Sequence, residues 1–280
     1  MTGRPDSPDQ LNLTLDNPRA ERIKKVAALT GRSARSRAGA LLVEGPQSVR
    51  EAVRFAPDRV RDLYVSTEAL ARHRDIVAAA LDAGRWVHLG TGEVLDAMSR
   101  DAQGILAVVD ETGVSLDDVL AGSPRLVAVL SNVRDPGNAG TVIRAADAAG
   151  ADAVILAGEC VDPSNPKVVR SSAGSLFHLP VVRALPLVDA VAELQGAGLR
   201  VLAADGSGTV TLGEPGADPQ ALATPTAWVL GNEAWGLSAD ERGLADEVVR
   251  IPIYGRAESL NLATAASVCL YASATAQRLQ

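Results

Sequence analysis

Strand-like apolar runs that break off into small and polar residues constrain this 280-residue chain most tightly. Two lie near its C-terminal end. Residues 227–230 run into Gly231, Asn232 and Glu233, and residues 248–251 run into Pro252 and Ile253. A long Ala-rich helix is then predicted from Ser259 to about Gln277. The same alternation recurs upstream, with strands at 126–130, 153–157, 181–182 and 201–203 and helices at 139–149, 167–175 and 188–194. Short apolar strands alternating with helices specify a mostly parallel sheet, buried by helices on both faces. Ligands of such sheets bind beyond the carboxyl ends of the strands. Residues 227–272 are therefore expected to carry backbone amides and a few polar side chains to a ligand-binding rim.

The first half predicts a separate, smaller α/β domain over residues 18–109. Its apolar runs at 41–43, 60–65, 86–89 and 105–109 alternate with helical stretches near 46–55, 68–83 and 94–98. Residues 1–17, rich in Pro, Asp and Asn without periodicity, are expected to form a disordered tail. The acidic stretch 110–123, running into Gly122, Ser123 and Pro124, is expected to be a linker to a second domain over 124–280.

Composition narrows the function classes. Cys160 and Cys269 are far apart and His73, His88 and His178 stand singly, so no metal site is expected. There is no uninterrupted apolar run of membrane-spanning length and no signal-peptide core at Met1, which predicts a cytoplasmic protein. The net charge of −7 argues against a nucleic-acid partner, but its distribution argues the other way. Arg19, Arg22, Lys24, Lys25, Arg32, Arg35 and Arg37 cluster against Glu21 alone, and a phosphate backbone is the simplest partner for them. Arg170 is a further candidate phosphate contact, or else a structural helix charge.

Three polar constellations are candidates for chemistry. The first runs from Ser131 to Arg144, where Asp135, Pro136 and Gly137 form a turn and Asn138 is a natural N-cap. Arg144 interrupts an otherwise apolar helix, so its charge must reach solvent, an acid or a ligand. The second is Gly231, Asn232 and Glu233, where a glycine at a strand end lets a ligand approach backbone amides. The third is Ser259, Leu260 and Asn261, at the start of the last helix. A Gly-x-Gly-x-x-Gly after the first strand, a P-loop and a Gly-x-Ser-x-Gly elbow are all missing from the sequence.

In this order and spacing, Asn138-x5-Arg144, Gly231-Asn-Glu233, Ile251-Pro-Ile253 and Ser259-Leu-Asn261 resemble the SpoU (TrmH) family of RNA ribose 2′-O-methyltransferases in the SPOUT superfamily. The likeness covers residue 126 to the C-terminus, and residues 20–109 look like the L30e-type RNA-binding domain of many members. Trp235 is bulkier than the family pattern implies. The resemblance implies a deep C-terminal trefoil knot, a homodimer with active sites at the subunit interface, and S-adenosylmethionine as methyl donor. It implies that Gly231, Ile251 and Leu260 hold the cofactor, and that Asn138, Arg144, Glu233, Ser259 and Asn261 form the catalytic group. Arg144 stands between two roles, general base or binder of phosphate and alkoxide. Ribosomal RNA, 23S above all, is favoured as substrate over tRNA. The alternatives are a tRNA methyltransferase, a non-catalytic assembly factor that keeps the fold, and a small-molecule methyltransferase.

Overall fold

The structure, a computed structural model, describes residues 5–214 and 222–279. The first four residues of the expected tail, and residues 215–221 and 280 of the expected second domain, lie outside the described residues. Two compact units emerge, one comprising the chain through Thr112 together with Ser164–Phe177, the other Gly113–Pro163 and His178–Gln280.

The first unit contains β1 (Leu13–Leu15), α1 (Glu21–Ala28), α2 (Arg32–Ala38), β2 (Ala40–Glu44), α3 (Pro46–Phe55), β3 (Val60–Ser66), α4 (Thr67–Arg72), α5 (Arg74–Asp82), β4 (Trp86–Gly90), α6 (Gly92–Met98) and β5 (Ile105–Asp110). Its strands form a mixed sheet in the order β1-β4-β3-β5-β2. Alternating strand residues feed two cores. Leu41, Val43, Leu63 and Val65 pack with α3 and α5 on one face, and Leu42, Tyr64 and Leu106 with α1 and α6 on the other.

Two expectations are corrected here. The tail is not loose over its described part, because Leu13–Leu15 adds a parallel edge strand to β4. The helix expected over 68–83 is two helices, broken at His73, whose φ of −126° and ψ of 40° are not helical.

The second unit runs through α7 (Leu116–Ala121), β6 (Leu126–Ser131), α8 (Pro136–Ala149) and β7 (Ala153–Ala157). The chain then gives α9 (Pro166–Ser171) to the first unit, where Val169 and Phe177 join the core of α3 and β3. It returns as β8 (Val181–Leu185), α10 (Leu187–Gly196), β9 (Arg200–Ala204), β10 (Val210–Thr211), β11 (Thr226–Leu230), α11 (Ala239–Gly243), β12 (Glu247–Arg250) and α12 (Leu262–Arg278). All strand pairs in its seven-stranded sheet are parallel, in the order β10-β12-β9-β11-β6-β7-β8. Strands β6, β7 and β11 are buried along their whole length, which accounts for their uninterrupted apolar sequence.

The linker expected over 110–123 is also corrected. Ser115 and Asp118 form a capping box that starts α7, and Leu116 and Val119 enter the second core. The helix expected over 167–175 ends at Ser171.

The last helix is fixed to the sheet by one buried polar contact. Trp228, fully buried in β11, donates its indole N–H to Ser273 Oγ of α12 at 2.9 Å. Ser273→Ala leaves that donor without its acceptor and is expected to cost about 1–3 kcal/mol. In a Trp228→Phe background the same substitution should cost far less. Chemical denaturation of the four variants checks this, and equal costs in both backgrounds would show that the hydrogen bond is not what Ser273 contributes.

Candidate active site

The carboxyl ends of β6 and β11 lie side by side, paired in register from Leu126 opposite Thr226 to Leu130 opposite Leu230. The chain leaves both strands into loops that are clasped together. Asn232 Nδ2 donates to the Asn132 carbonyl at 2.7 Å, and Glu233 accepts from the backbone amides of Asp135 at 3.1 Å and Arg134 at 3.4 Å. Beneath them Glu241, at the third position of α11, accepts from Ser131 Oγ at 2.5 Å and Asn132 Nδ2 at 3.1 Å.

The capping of α8 differs from expectation, with a chemical consequence. The N-cap is Asp135, whose carboxylate accepts from the Asn138 amide at 2.7 Å, and Pro136 occupies the first helical position. Asn138 is the third residue of the helix, so its side chain is spared from capping. It donates from Nδ2 to Glu233 Oε1 at 3.3 Å and accepts at Oδ1 from Asn261 Nδ2 at 3.1 Å. Asn261, rather than Ser259, caps α12, its Oδ1 accepting from the amides of Ala263 at 2.9 Å and Thr264 at 3.4 Å. Because the oxygen of Asn261 serves the helix, its nitrogen faces Asn138. The three side chains form one directed chain, Asn261 to Asn138 to Glu233, assembled from three distant stretches of sequence.

Beside this chain opens a cleft of about 330 Å³, lined by Gly231, Glu233, Ile251, Ser259 and Leu260 among others. Gly231 earns its place differently from the expectation. A Cβ there would stand 2.3 Å from the carbonyl carbon of Gly236, so the glycine permits the tight return of the 231–237 loop on itself. That return is closed by reciprocal backbone hydrogen bonds between Asn232 and Gly236 at 2.9 and 3.1 Å. Arg144 is not joined to the chain. It lies six residues beyond Asn138 on α8, about 9 Å along the axis, exposed and without a hydrogen bond or ion pair among the described residues.

Residues 125–271 match the SpoU rRNA Methylase family, and residues 42–112 match its substrate-binding domain, described as RNA 2′-O ribose methyltransferase substrate binding. The chain belongs to the SpoU rRNA methylase family. It is 32% identical over 261 residues to the 23S rRNA (guanosine(2553)-2′-O)-methyltransferase RlmP of Bacillus subtilis, covering 92% of this chain and 97% of that protein. It is 35% identical over 274 residues to the 23S rRNA (uridine(2479)-2′-O)-methyltransferase of Streptomyces viridochromogenes, covering 93% and 91%. Among solved structures, it resembles the AdoMet-bound rRNA methyltransferase of Sinorhizobium meliloti, with a TM-score of 0.79, 28% identity and coverage of 94% and 97%. The SpoU methyltransferase AviRb of Streptomyces viridochromogenes in complex with AdoMet gives a TM-score of 0.77 at 32% identity, covering 93% and 99%.

Within this SpoU fold, the motif reading missed the two other charged residues of the cleft, Asp205 and Glu258. Asp205 directly follows β9, and an Asp-Gly pair at a strand's carboxyl end was the available signal. Burial alone would raise its pKa, but hydrogen bonds from Ser207 and the Leu237 amide, with the Arg242 charge, together hold it below the usual carboxylate value. Asp205 thereby ties the loop after β9 to the loop after β11. Trp235, bulkier than the family pattern implies, does not line the cleft and is 57% exposed. Among the described residues no group of three His, Cys, Asp or Glu side chains could hold a metal, and no helix is long and apolar enough to cross a membrane.

The basic candidates separate into two sets. Lys24, Lys25, Arg32 and Arg37 are exposed on α1 and α2. Arg22 is partly exposed and pairs with Asp62 at 2.8 Å. Arg35 is a correction. It is 3% exposed and donates to the carbonyls of Leu29 and Thr30, satisfying the open end of α1 instead of facing RNA. Of the two readings left open for Arg170, the ion pairs favour the structural charge, its guanidinium being held by Asp101 at 2.6 Å and Glu44 at 3.3 Å within the first unit.

Glu241, which braces the floor of the site, makes a pH test. Burial raises its pKa, but hydrogen bonds from Ser131, Ser238 and Asn132 outweigh it and set the carboxyl below its ordinary 4.5. A depressed pKa stabilises the fold above about 4.5, and that stability is lost as pH falls through the lower folded value. Glu241→Gln should therefore cost about 1 kcal/mol at pH 7, allowing for its partial exposure, and progressively less in acid. Urea midpoints of both proteins at pH 7 and pH 3.5 measure it, and a gap that does not narrow would refute the assignment.

Proposed function

We propose that this protein transfers the methyl group of S-adenosylmethionine to a ribose 2′-hydroxyl of 23S ribosomal RNA. The observation that carries the reading is the directed chain Asn261–Asn138–Glu233 beside a cleft suited to a cationic, partly apolar cofactor. S-adenosylmethionine bears a sulfonium, an ammonium and an adenine. The cleft presents the carboxylates of Asp205, Glu233 and Glu258 and no basic side chain, with Leu230, Ile251 and Leu260 as apolar walls. Backbone groups at Gly231, Ile251 and Leu260 would hold the cofactor.

When bound, S-adenosylmethionine supplies an already activated methyl group, so the reading includes no metal. The chain's own residues then have two tasks, alignment of the ribose and acceptance of its proton, which the Glu233 carboxylate would take as the oxygen–methyl bond forms and the methyl–sulfur bond breaks. Ideal alignment alone is worth about 7–11 kcal/mol. Glu233 and Asn138, locked by Asn261, present a fixed polar edge to the ribose at the mouth of the cleft, and Ser259 adds a hydroxyl at the rim. Arg144 is assigned to the phosphate and the developing alkoxide. A guanidinium offers five N–H donors and no acceptor lone pair, which suits it to binding phosphate and not to serving as a base. Ribosomal RNA as substrate implies a cytoplasmic enzyme.

The same reading includes a homodimer through the methyltransferase unit. Support comes from α12, which exposes Val268 and Tyr271 on one stripe with Thr264 and Thr275, beside the α8 face that carries Arg144. A site whose arginine stands a turn and a half beyond its asparagine is one that a second copy can complete. The strand order supports the knot, since β11 lies between β6 and β9 and the chain passes back beyond β9 to form β12 before α12.

Incubation with labelled S-adenosylmethionine and unmodified 23S ribosomal RNA or tRNA, followed by mapping of the labelled ribose, tests the proposal. Label is expected on one 23S ribose and none on tRNA. Arg144→Ala should lower turnover at saturating cofactor by at least about 100-fold while calorimetry finds cofactor affinity nearly unchanged. Weakened cofactor binding with normal turnover would remove Arg144 from the reacting centre.

A further inference from the structure

Trp235 is an exposed indole on a rigid support beside the candidate active site. The loop that carries it is closed by the Asn232–Gly236 backbone pair, and Asn232 Oδ1 accepts from the Ala234 amide at 2.8 Å. Its tip is held to the neighbouring loop by Glu233, which accepts from Arg134 N and Asp135 N. The guanidinium of Arg134 lies over the Trp235 ring, 5.6 Å from its centroid. That side chain is 60% exposed, and its ion pair with Glu159, at 2.7 Å, is to a carboxylate that is itself 81% exposed. A pair so open to water contributes little, and a phosphate can replace its carboxylate.

An exposed tryptophan is costly in surface terms, and its position excludes the obvious internal uses. It does not line the cofactor cleft, and Asn232 and Gly236 close the loop without it. What remains is an exposed indole, two residues from Glu233, with a cation over one face and its opposite face left to stack on. That is the chemistry of a nucleobase stacking platform with an adjoining phosphate contact. An enzyme acting on a ribose hydroxyl in RNA needs the nucleotide splayed from its neighbours, and a stacked base is a means of holding it so.

We propose that Trp235 and Arg134 form a shelf on which an unpaired base of the RNA, at or next to the methylated nucleotide, is stacked, with Arg134 against its phosphate. The inference rests on the RNA methyltransferase reading above and extends it to how the target is gripped. Stacking tolerates any base, so the shelf fixes the position of the nucleotide and leaves choice of sequence to other contacts.

The full-length protein tests this with Trp235→Leu and Trp235→Phe, using an unmodified 23S ribosomal RNA transcript in methylation kinetics and in filter binding. Trp235→Leu, which keeps apolar bulk but removes the π-face, should raise the KM for the transcript about tenfold or more. Trp235→Phe should stay within about threefold of the parent, because a ring can still stack. Affinity for S-adenosylmethionine and the mass by light scattering should be unchanged in both. Should Trp235→Leu melt early, Arg134→Gln reads the same shelf with the indole intact. Its RNA affinity should depend on salt with a slope smaller by about 0.7–1, as expected for one lost phosphate contact.

A Leu variant with parental KM and RNA affinity overturns the proposal, and so does a Phe variant as weak as Leu. Loss of activity together with loss of mass would make Trp235 a subunit contact instead. If the parent protein methylates no RNA but filter binding still separates Leu from Phe, the shelf stands and the methyl-transfer reading falls.

Discussion

The parallel pairing of β6 with β11 is the constraint on which the rest of the second unit depends. Ten buried residues pair in register in these strands, at the centre of a sheet that helices cover. Their ends therefore arrive together, and the two loops leaving them must find partners in each other. The Asn232 amide on the Asn132 carbonyl and the Glu233 carboxylate on two backbone amides are those partners. The polar groups of the site thus double as the satisfaction of a loop junction.

Directionality follows from that economy. A side-chain amide has one acceptor end and one donor end, and Asn261 commits its acceptor to the first turn of α12. Its donor end has only one orientation left, toward Asn138, whose own donor then faces Glu233. Asp135 makes this possible by taking over the cap of α8. Rigidity at the cleft mouth comes from helix capping, an interaction worth about 1 kcal/mol per cap in stability.

Much of this was legible in the residues. The alternation of short apolar runs with helices specified a parallel sheet, because only strands buried on both faces lack polar alternation, and the structure has that sheet. Gly231, Glu233, Ile251, Ser259 and Leu260 were picked out at strand and helix ends, and all five line the cleft. The misreadings have local causes. Asn138 reads as a cap because Asp and Asn are both good caps, and the choice between Asp135 and Asn138 depends on where the helix begins. Arg35 was counted with the basic surface because its neighbours are exposed, yet its guanidinium turns inward to the end of α1. Asp205 went unnoticed because nothing in its own segment shows that β9 lies beside β11.

Sequence by itself determined the alternation of strands and helices, the sheet type, the family and the residue types at the cleft. Each of those rests on periodicity or on short motifs, and both are local properties of a chain. Tertiary structure alone decided which polar atoms meet. Asn261 and Asn138 are 123 residues apart, and Asn232 and Asn132 are 100 apart. It also decided that residues 164–177 belong with the first unit, that Arg170 is committed to two carboxylates, and that Trp235 faces water. Such pairings are set by strand order in the sheet, a competition among all the apolar runs at once, and no single segment records its outcome.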